Sequence, residues 1–239
     1  MSAEDHRLLV AIDGPAAAGK STVARLLASR LPALLFDTGS LYRALALAAR
    51  RSGIDPEDEP ALAALARTAD IDLAPPSHED GRLADVMLEG EDVTWAIREP
   101  EIDAIVSRVA GHPLVRQALL PVQRRIAGAG PVVMVGRDIG TVVAPDAGVK
   151  IFLDASDVER ARRRHAELAG RGEDVTAEQV LADIRRRDAR DSPRAVAPLR
   201  AADDAIRFAT DGLTVDQVVD GLERIVRDRW RALAGAAGG

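Results

Sequence analysis

Gly14-Pro15-Ala16-Ala17-Ala18-Gly19-Lys20-Ser21 fits the pattern G-x-x-x-x-G-K-[ST] with no gap and no substitution. Ahead of it, Leu8-Leu9-Val10-Ala11-Ile12 is the short, branched apolar run of a buried parallel strand. Behind it, Val23, Leu26, Leu27 and Leu31 recur at helical spacing, so the stretch reads as strand, loop, helix. In that setting main-chain N–H groups wrap a phosphate at a helix N-terminus, where the helix dipole favours negative charge. Gly14, Pro15, Ala16, Ala17, Ala18, Gly19, Lys20, Ser21 and Thr22 are therefore the expected cradle of a nucleoside triphosphate. Lys20 is expected to reach the β- and γ-phosphates, and the Ser21 hydroxyl to ligate Mg²⁺.

Outward from the loop, Ala33-Leu34-Leu35-Phe36 predicts a second strand ending in Asp37-Thr38-Gly39-Ser40, and a helix follows as far as Gly53. Asp58 is the expected cap of a helix to about Ala69, with Pro60 in its first turn. This β-α-β-α rhythm predicts a parallel sheet. It breaks from about Asp70 to Asp92, where short alternating runs and the turn-rich Pro75-Pro76-Ser77 and Glu89-Gly90-Glu91 predict a small antiparallel insert. Helices are expected from near Pro100 to Gly111 and from Pro113 to Gly128, then strands at Val132–Val135 and Val149–Leu153. Ser156…Glu159, Thr176…Gln179 and Thr214…Gln217 have capping-box spacing and mark three helix starts. Ala205–Thr210 predicts the fifth parallel strand, and the Ala/Gly tail after Leu233 is expected to fray. The expected fold is α/β: a five-stranded parallel sheet flanked by helices, with residues 1–69 and 111–239 as core and 70–110 as an insert.

Composition bounds the partners. A net charge of −6 over 239 residues argues against a general nucleic-acid binder. With no cysteine there is no disulfide and no thiolate metal site, which suits a reducing compartment. The acidic start before only five apolar residues is not a secretory leader, and no run of 18 apolar residues exists to span a bilayer. A cytoplasmic protein away from membranes is expected. Lys20 and Lys150 are the two lysines among 32 basic residues, so the loop lysine stands out against a background of arginine.

Two constellations could do chemistry. The span Ser156–Arg200 holds 11 arginines against 9 acidic residues, a net of +2 that leaves −8 for the rest. Arg160, Arg163 and Arg164 lie at i, i+3 and i+4, and Arg187, Arg190 and Arg194 are also spaced, with Pro193 expected to end the helix before Arg194. Such groups either grip phosphate oxygens in forked contacts or form a solvated helix face. The second constellation follows strand ends, where open α/β sheets bind ligands. Asp37-Thr38, Gly136-Arg137-Asp138 and Asp154 all fall there. Asp13 and Asp37 either reach Mg²⁺ through water or act as structural caps.

These residues resemble a known family, the bacterial cytidylate kinases of the nucleoside monophosphate kinase superfamily. The likeness runs from about residue 8 to 230. It is carried by Ile12-Asp13-Gly14-Pro15 through Lys20, Asp37-Thr38-Gly39-Ser40-Leu41-Tyr42-Arg43, and Leu88-Glu89-Gly90-Glu91-Asp92-Val93. Gly136-Arg137-Asp138-Ile139-Gly140-Thr141-Val142-Val143, Lys150 to Ala155, and Arg187-Asp188 through Arg194 to Leu199 complete it. The resemblance implies phosphoryl transfer from ATP to CMP or dCMP with Mg²⁺, by a monomer. It implies a lid at about 158–175 and makes 70–110 a nucleoside-monophosphate-binding insert. By position, Thr38, Tyr42, Arg43, Ser107, Arg116, Arg137, Asp138, Arg187, Asp191 and Arg194 would contact the acceptor nucleotide. Lys20, Arg137, Arg187 and Arg194 would act on the transferring group, and Arg160, Arg163 and Arg164 would lie over ATP. Ser21 stands where some members have glycine, and Thr38 where serine is frequent. Three other readings stand on the residues alone: a P-loop kinase for a different small acceptor, a nucleotide-dependent switch with no acceptor, and a nucleic-acid 5′-end kinase, which the net charge disfavours.

Overall fold

The computed structural model of the chain describes residues 8–170, 172, 174–191 and 200–237; the side chains of 187, 189–191 and 233–237 lie outside that description. In chain order the elements are β1 (Leu9–Asp13), α1 (Lys20–Arg30), β2 (Leu34–Asp37), α2 (Gly39–Arg51), α3 (Glu59–Thr68), β3 (Ile71–Ala74), β4 (Asp85–Leu88) and β5 (Glu91–Asp92). Then come α4 (Pro100–Val109), α5 (Pro113–Ala127), β6 (Val132–Val135), β7 (Val149–Asp154), α6 (Asp157–Gly170), α7 (Ala177–Asp191), β8 (Ile206–Ala209) and α8 (Val215–Ala237).

The main sheet has the order β2-β6-β1-β7-β8, every pair parallel, as the alternating pattern predicted. Its inner strands β1, β6 and β7 are mostly apolar because both faces are covered, whereas edge strand β8 leaves Arg207 and Ala209 exposed. Ala11, Phe36 and Met134 turn to one face, under Leu41, Leu45 and Leu62 of α2 and α3 and Leu119 of α5. Val10, Ile12, Val133, Ile151 and Leu153 turn to the other, against Val23 and Leu27 of α1 and Val219 and Leu222 of α8. The 70–92 segment forms the expected antiparallel sheet β3-β4-β5, whose Ile71, Val86 and Leu88 join the first core. Helices α6 and α7 pack on each other around a separate small cluster, Ala161, Val180 and Ile184. No helix among the described residues is long and apolar enough to cross a membrane.

Local signals explain most element ends. The Asp58 carboxylate accepts from Ala61 N at 3.0 Å and caps α3. Asp58→Ala is expected to cost about 1 kcal/mol of stability with no change in activity, read as a lowered thermal midpoint. Thr176–Gln179 and Thr214–Gln217 make both bonds of a capping box. Ser156 makes only one: its Oγ accepts from Glu159 N, but the Glu159 carboxylate goes to Arg162 and Arg163, and Ser156 N donates to Asp211 instead. Helix α8 runs on to Ala237, beyond the expected fraying point, in a tail whose alanines favour helix. No periodicity or cap marks the π-helical turn at Ile139–Val143, directly behind Arg137-Asp138.

Candidate active site

The phosphate loop leaves β1 through Gly14, at φ 150°. A Cβ there would sit 2.2 Å from the backbone oxygen of Leu153, so any side chain would push the loop off β7. Gly19, at φ 84°, turns the chain into α1, and the Lys20 ammonium folds back to donate to Pro15 O at 2.6 Å. Ser21 begins the exposed first turn of α1, and its Oγ donates to Asp37 Oδ2 at 2.9 Å. Asp37 also accepts from Gly39 N at 3.0 Å, so one carboxylate starts α2 and faces the loop hydroxyl. A hydroxyl and a carboxylate beside a phosphate cradle are hard oxygen donors, and that pair fits Mg²⁺.

On one side of the loop a cleft of about 710 Å³ opens. Ala16, Ala17, Lys20, Ser21 and Asp37 line it. So do Thr38, Tyr42, Arg43, Ser107, Arg116, Arg137 and Asp138, seven expected acceptor residues drawn from four regions of the chain. Thr38 is buried and its hydroxyl donates to Val135 O at 3.0 Å, which ties the start of α2 to the end of β6. Gly136 allows that approach: a Cβ there would meet Ile139 at 2.5 Å and Thr38 Oγ1 at 3.0 Å. Arg116 donates to Asp138 Oδ2 at 2.9 Å and lies over the Tyr42 ring, 5.4 Å from its centroid. Burial opposes the charge on Arg116, yet Tyr42 and Asp138 hold its pKa above the usual arginine value. Arg43 is aimed by Ile97 O at 3.1 Å and by Asp103 at 2.5 Å.

Two features of this cleft have no signal in the sequence reading, and the contacts of Asp13 behind it bear on the two roles left open for that residue. Asp183 and Arg186 of α7 also line it, joined as an ion pair. Buried Gln123 of α5 donates to the Tyr42 hydroxyl at 3.3 Å and fixes the ring beneath Arg116. Asp13, 4% exposed, receives Ile139 N and Gly140 N on its two oxygens, both at 2.8 Å. Asp13 is thus a structural cap, one of the two roles open for it; Asp37 combines a cap with a place beside Ser21.

Of the four arginines of α6, the three expected over ATP, Arg160, Arg163 and Arg164, separate. Arg163 and Arg164 line a second hollow of about 470 Å³ with Ala18, Gly19, Thr22 and Thr210. Arg163 donates to Thr210 Oγ1 and Thr210 O at 3.0 and 2.6 Å, and Arg164 pairs with Glu167. Arg160 lines neither space. It is buried, forks onto Asp188 of α7 at 3.1 and 2.6 Å, and donates to Ala16 O of the phosphate loop at 3.1 Å. Asp154 also lines neither; its carbonyl receives Thr210 N and Oγ1. The expected roles of Arg187, Asp191 and Arg194 fall on side chains outside the described residues.

A parallel sheet in this strand order, with a G-x-x-x-x-G-K-S loop at the C-terminal end of its central strand and a polar cleft beside it, defines a P-loop nucleotide-binding protein of the kinase type. The sequence profile of the cytidylate kinases matches residues 10–228. A cytidylate kinase of Geobacter sulfurreducens is 48% identical over 237 residues, covering 99% of this chain and 100% of that one. One of Chloroflexus aggregans is 53% identical over 218 residues, 91% of this chain and 93% of its own. The chain belongs to the cytidylate kinase family. Among solved structures, an uncharacterised protein from Eubacterium ventriosum aligns with a TM-score of 0.51 at 13% identity, over 93% of this chain and 99% of that one, a likeness of fold alone.

Proposed function

We propose that the chain transfers the γ-phosphoryl group of ATP to the phosphate of CMP or dCMP, giving ADP and CDP or dCDP. The observation that carries this reading is that the phosphate loop and the Arg43, Arg116, Arg137 and Asp138 set open on one cleft, as transfer between two nucleotides demands.

In the reaction an oxygen of the acceptor phosphate forms a bond to the γ-phosphorus, and the bond to the ADP oxygen breaks in line with it. The attacking group is already an anion, so no general base is assigned. The work is positioning and charge neutralisation. The loop amides and Lys20 hold the β- and γ-phosphates; Arg43, Arg137 and Arg194 hold the acceptor phosphate; Arg187 stands beside the transferring group. Ser107, Arg116 and Asp138 face the base, Thr38 and Tyr42 complete the acceptor pocket, and Asp191 holds the pentose. Arg163 and Arg164 reach ATP from the second hollow, whereas Arg160 acts on the loop itself through Ala16 O. Ser21, with Asp37 beside it, would hold Mg²⁺, which supplies charge neutralisation on the phosphates when bound. Residues 70–110 serve as the acceptor-binding insert. Residues 158–175 serve as a lid whose closure excludes water from a site that would otherwise hydrolyse ATP. The enzyme works as a cytoplasmic monomer.

ADP release, followed with CMP, dCMP, UMP, AMP or no acceptor, tests the reading. CMP and dCMP are expected to raise the rate at least about 10²-fold over UMP and AMP. Stimulation by another acceptor only would assign a different kinase, and a slow rate indifferent to every acceptor would favour a nucleotide switch.

A further inference from the structure

The segment that carries Arg137 and Asp138 is pinned at both ends by two consecutive residues of β1. Gly136 N donates to Ile12 O at 3.1 Å. Ile139 N and Gly140 N donate to the two oxygens of Asp13. The residues left between the pins are Arg137 and Asp138, and both line the cleft. The N–H groups that Asp13 takes open the π-helical turn, where the turn itself supplies no acceptor, and the Asp138 side chain does not cap it. The residue after Asp13 is Gly14, the head of the phosphate loop. A single carboxylate therefore ties the donor loop to the acceptor turn. A buried carboxylate carries the desolvation cost of a charge, but it offers an acceptor oxygen to each of the two N–H groups, where a neutral asparagine or serine has a single side-chain oxygen.

We propose that ionised Asp13 is a positioning residue for the acceptor site, holding the Arg137-Asp138 turn in the conformation that takes the pyrimidine nucleotide. The inference rests on the function proposed above and extends it to a residue that lies outside the cleft.

Burial pushes the Asp13 pKa up to about 6, against the pull of the bonds from Gly140 and Ile139; Asp138 adds to the rise and Lys20 opposes it. Few other charges stand near. Arg137 belongs to the turn, and Arg116 pairs with Asp138. From β7, the Lys150 stem lies 3.2 Å from where a Gly140 Cβ would be, but its ammonium is taken by Pro145 O and Asp204. Strand β6 beside Asp13 is Val132-Val133-Met134-Val135 and carries none. Protonation turns one carboxylate oxygen into a donor, and one of the two N–H groups then loses its acceptor. Acceptor affinity should track the ionised fraction of Asp13.

The test is the inhibition constant of cytidine against CMP, measured from pH 5 to 8 on the wild type and on Asp13→Asn. Cytidine carries no phosphate, which removes the substrate titration near pH 6 from the profile. The wild-type constant is expected to rise about tenfold between pH 7.5 and pH 5 with an apparent pKa of about 6, as a competent fraction falling to roughly a tenth requires. The Asp13→Asn profile is expected to be flat, with the CMP KM raised about tenfold and the ATP KM changed far less. A flat wild-type profile, or a folded Asp13→Asn with wild-type CMP KM, overturns the inference. If Asp13→Asn does not fold, the wild-type profile decides. A wild type that consumes ATP without responding to CMP removes the functional reading as well; a CMP-responsive wild type with a flat profile removes this inference alone.

Discussion

Lys20→Ala is expected to lower kcat by about 10²–10³ while the protein stays folded, the size of loss that follows removal of one preorganised charge contact. The Lys20 side chain is only half-buried and donates to Pro15 O within the same loop, so its removal should cost about 1 kcal/mol of stability. The arginines that line the same cleft, Arg43, Arg116, Arg137 and Arg186, come from other segments and do not share its place in the loop. The other lysine, Lys150, is buried and committed to Asp204 and Pro145 O, and no other residue of the loop carries a charge. Lys20→Arg should not restore the rate, because a planar guanidinium fork cannot take the place of a compact ammonium among main-chain amides. The measurement is single-turnover transfer at saturating ATP and CMP, with a thermal melt as the control for folding. A kcat within threefold of wild type for Lys20→Ala would mean that charge at this position does not act on the transferring group.

The role of Lys20 is legible in eight adjacent residues, and the rest of the fold was legible for the same reason. The strands, the Asp58 cap, the Thr176 and Thr214 boxes and the Asp70–Asp92 insert are all decided within a few residues of themselves. What escaped are contacts closed by the tertiary fold. Asp13 meets Gly140 across 127 positions and Gln123 meets Tyr42 across 81, and no periodicity links such pairs. Arg160 shows the same limit from the other side. Its spacing put it on one face with Arg163 and Arg164, but α6 buries only Arg160 and Ala161, and the long arginine stem turns inward to reach Asp188 and Ala16 O. Helical spacing gave the direction of the three side chains; the neighbours on the phosphate loop and α7 decided which of them could meet an anion. Asp183 and Arg186 entered the cleft unannounced for a related reason, since only the packing of α7 on α6 turns that edge of the helix toward Lys20.

Asp138→Ala is expected to weaken CMP binding and to cut the preference for CMP over UMP by about 10²-fold, well inside the 10⁴–10⁵ that a site built on buried polar contacts can reach. The chemistry behind it is a matter of donors. Cytosine offers an amino group beside two acceptors, so a carboxylate with arginine and hydroxyl donors around it complements the base, whereas uracil would set a carbonyl oxygen against the carboxylate. Asp138 is buried at the cleft wall with Arg116 as its partner, and Ser107 lines the same space. The substitution is a clean probe of the base contact because the backbone of the turn does not depend on this side chain. Val142 N and Val143 N bond to the Asp138 carbonyl, and Asp13 holds the N–H groups that follow. Asp138→Asn sharpens the test: the amide keeps the shape but can present a donor, so UMP should gain while CMP loses. Because Asp138 helps to raise the Asp13 pKa, either substitution should also move the acid limb of the cytidine profile to lower pH. Equal kinetics with both nucleotides in Asp138→Ala and wild type would take the base contact away from Asp138 and leave it as a partner of Arg116 alone.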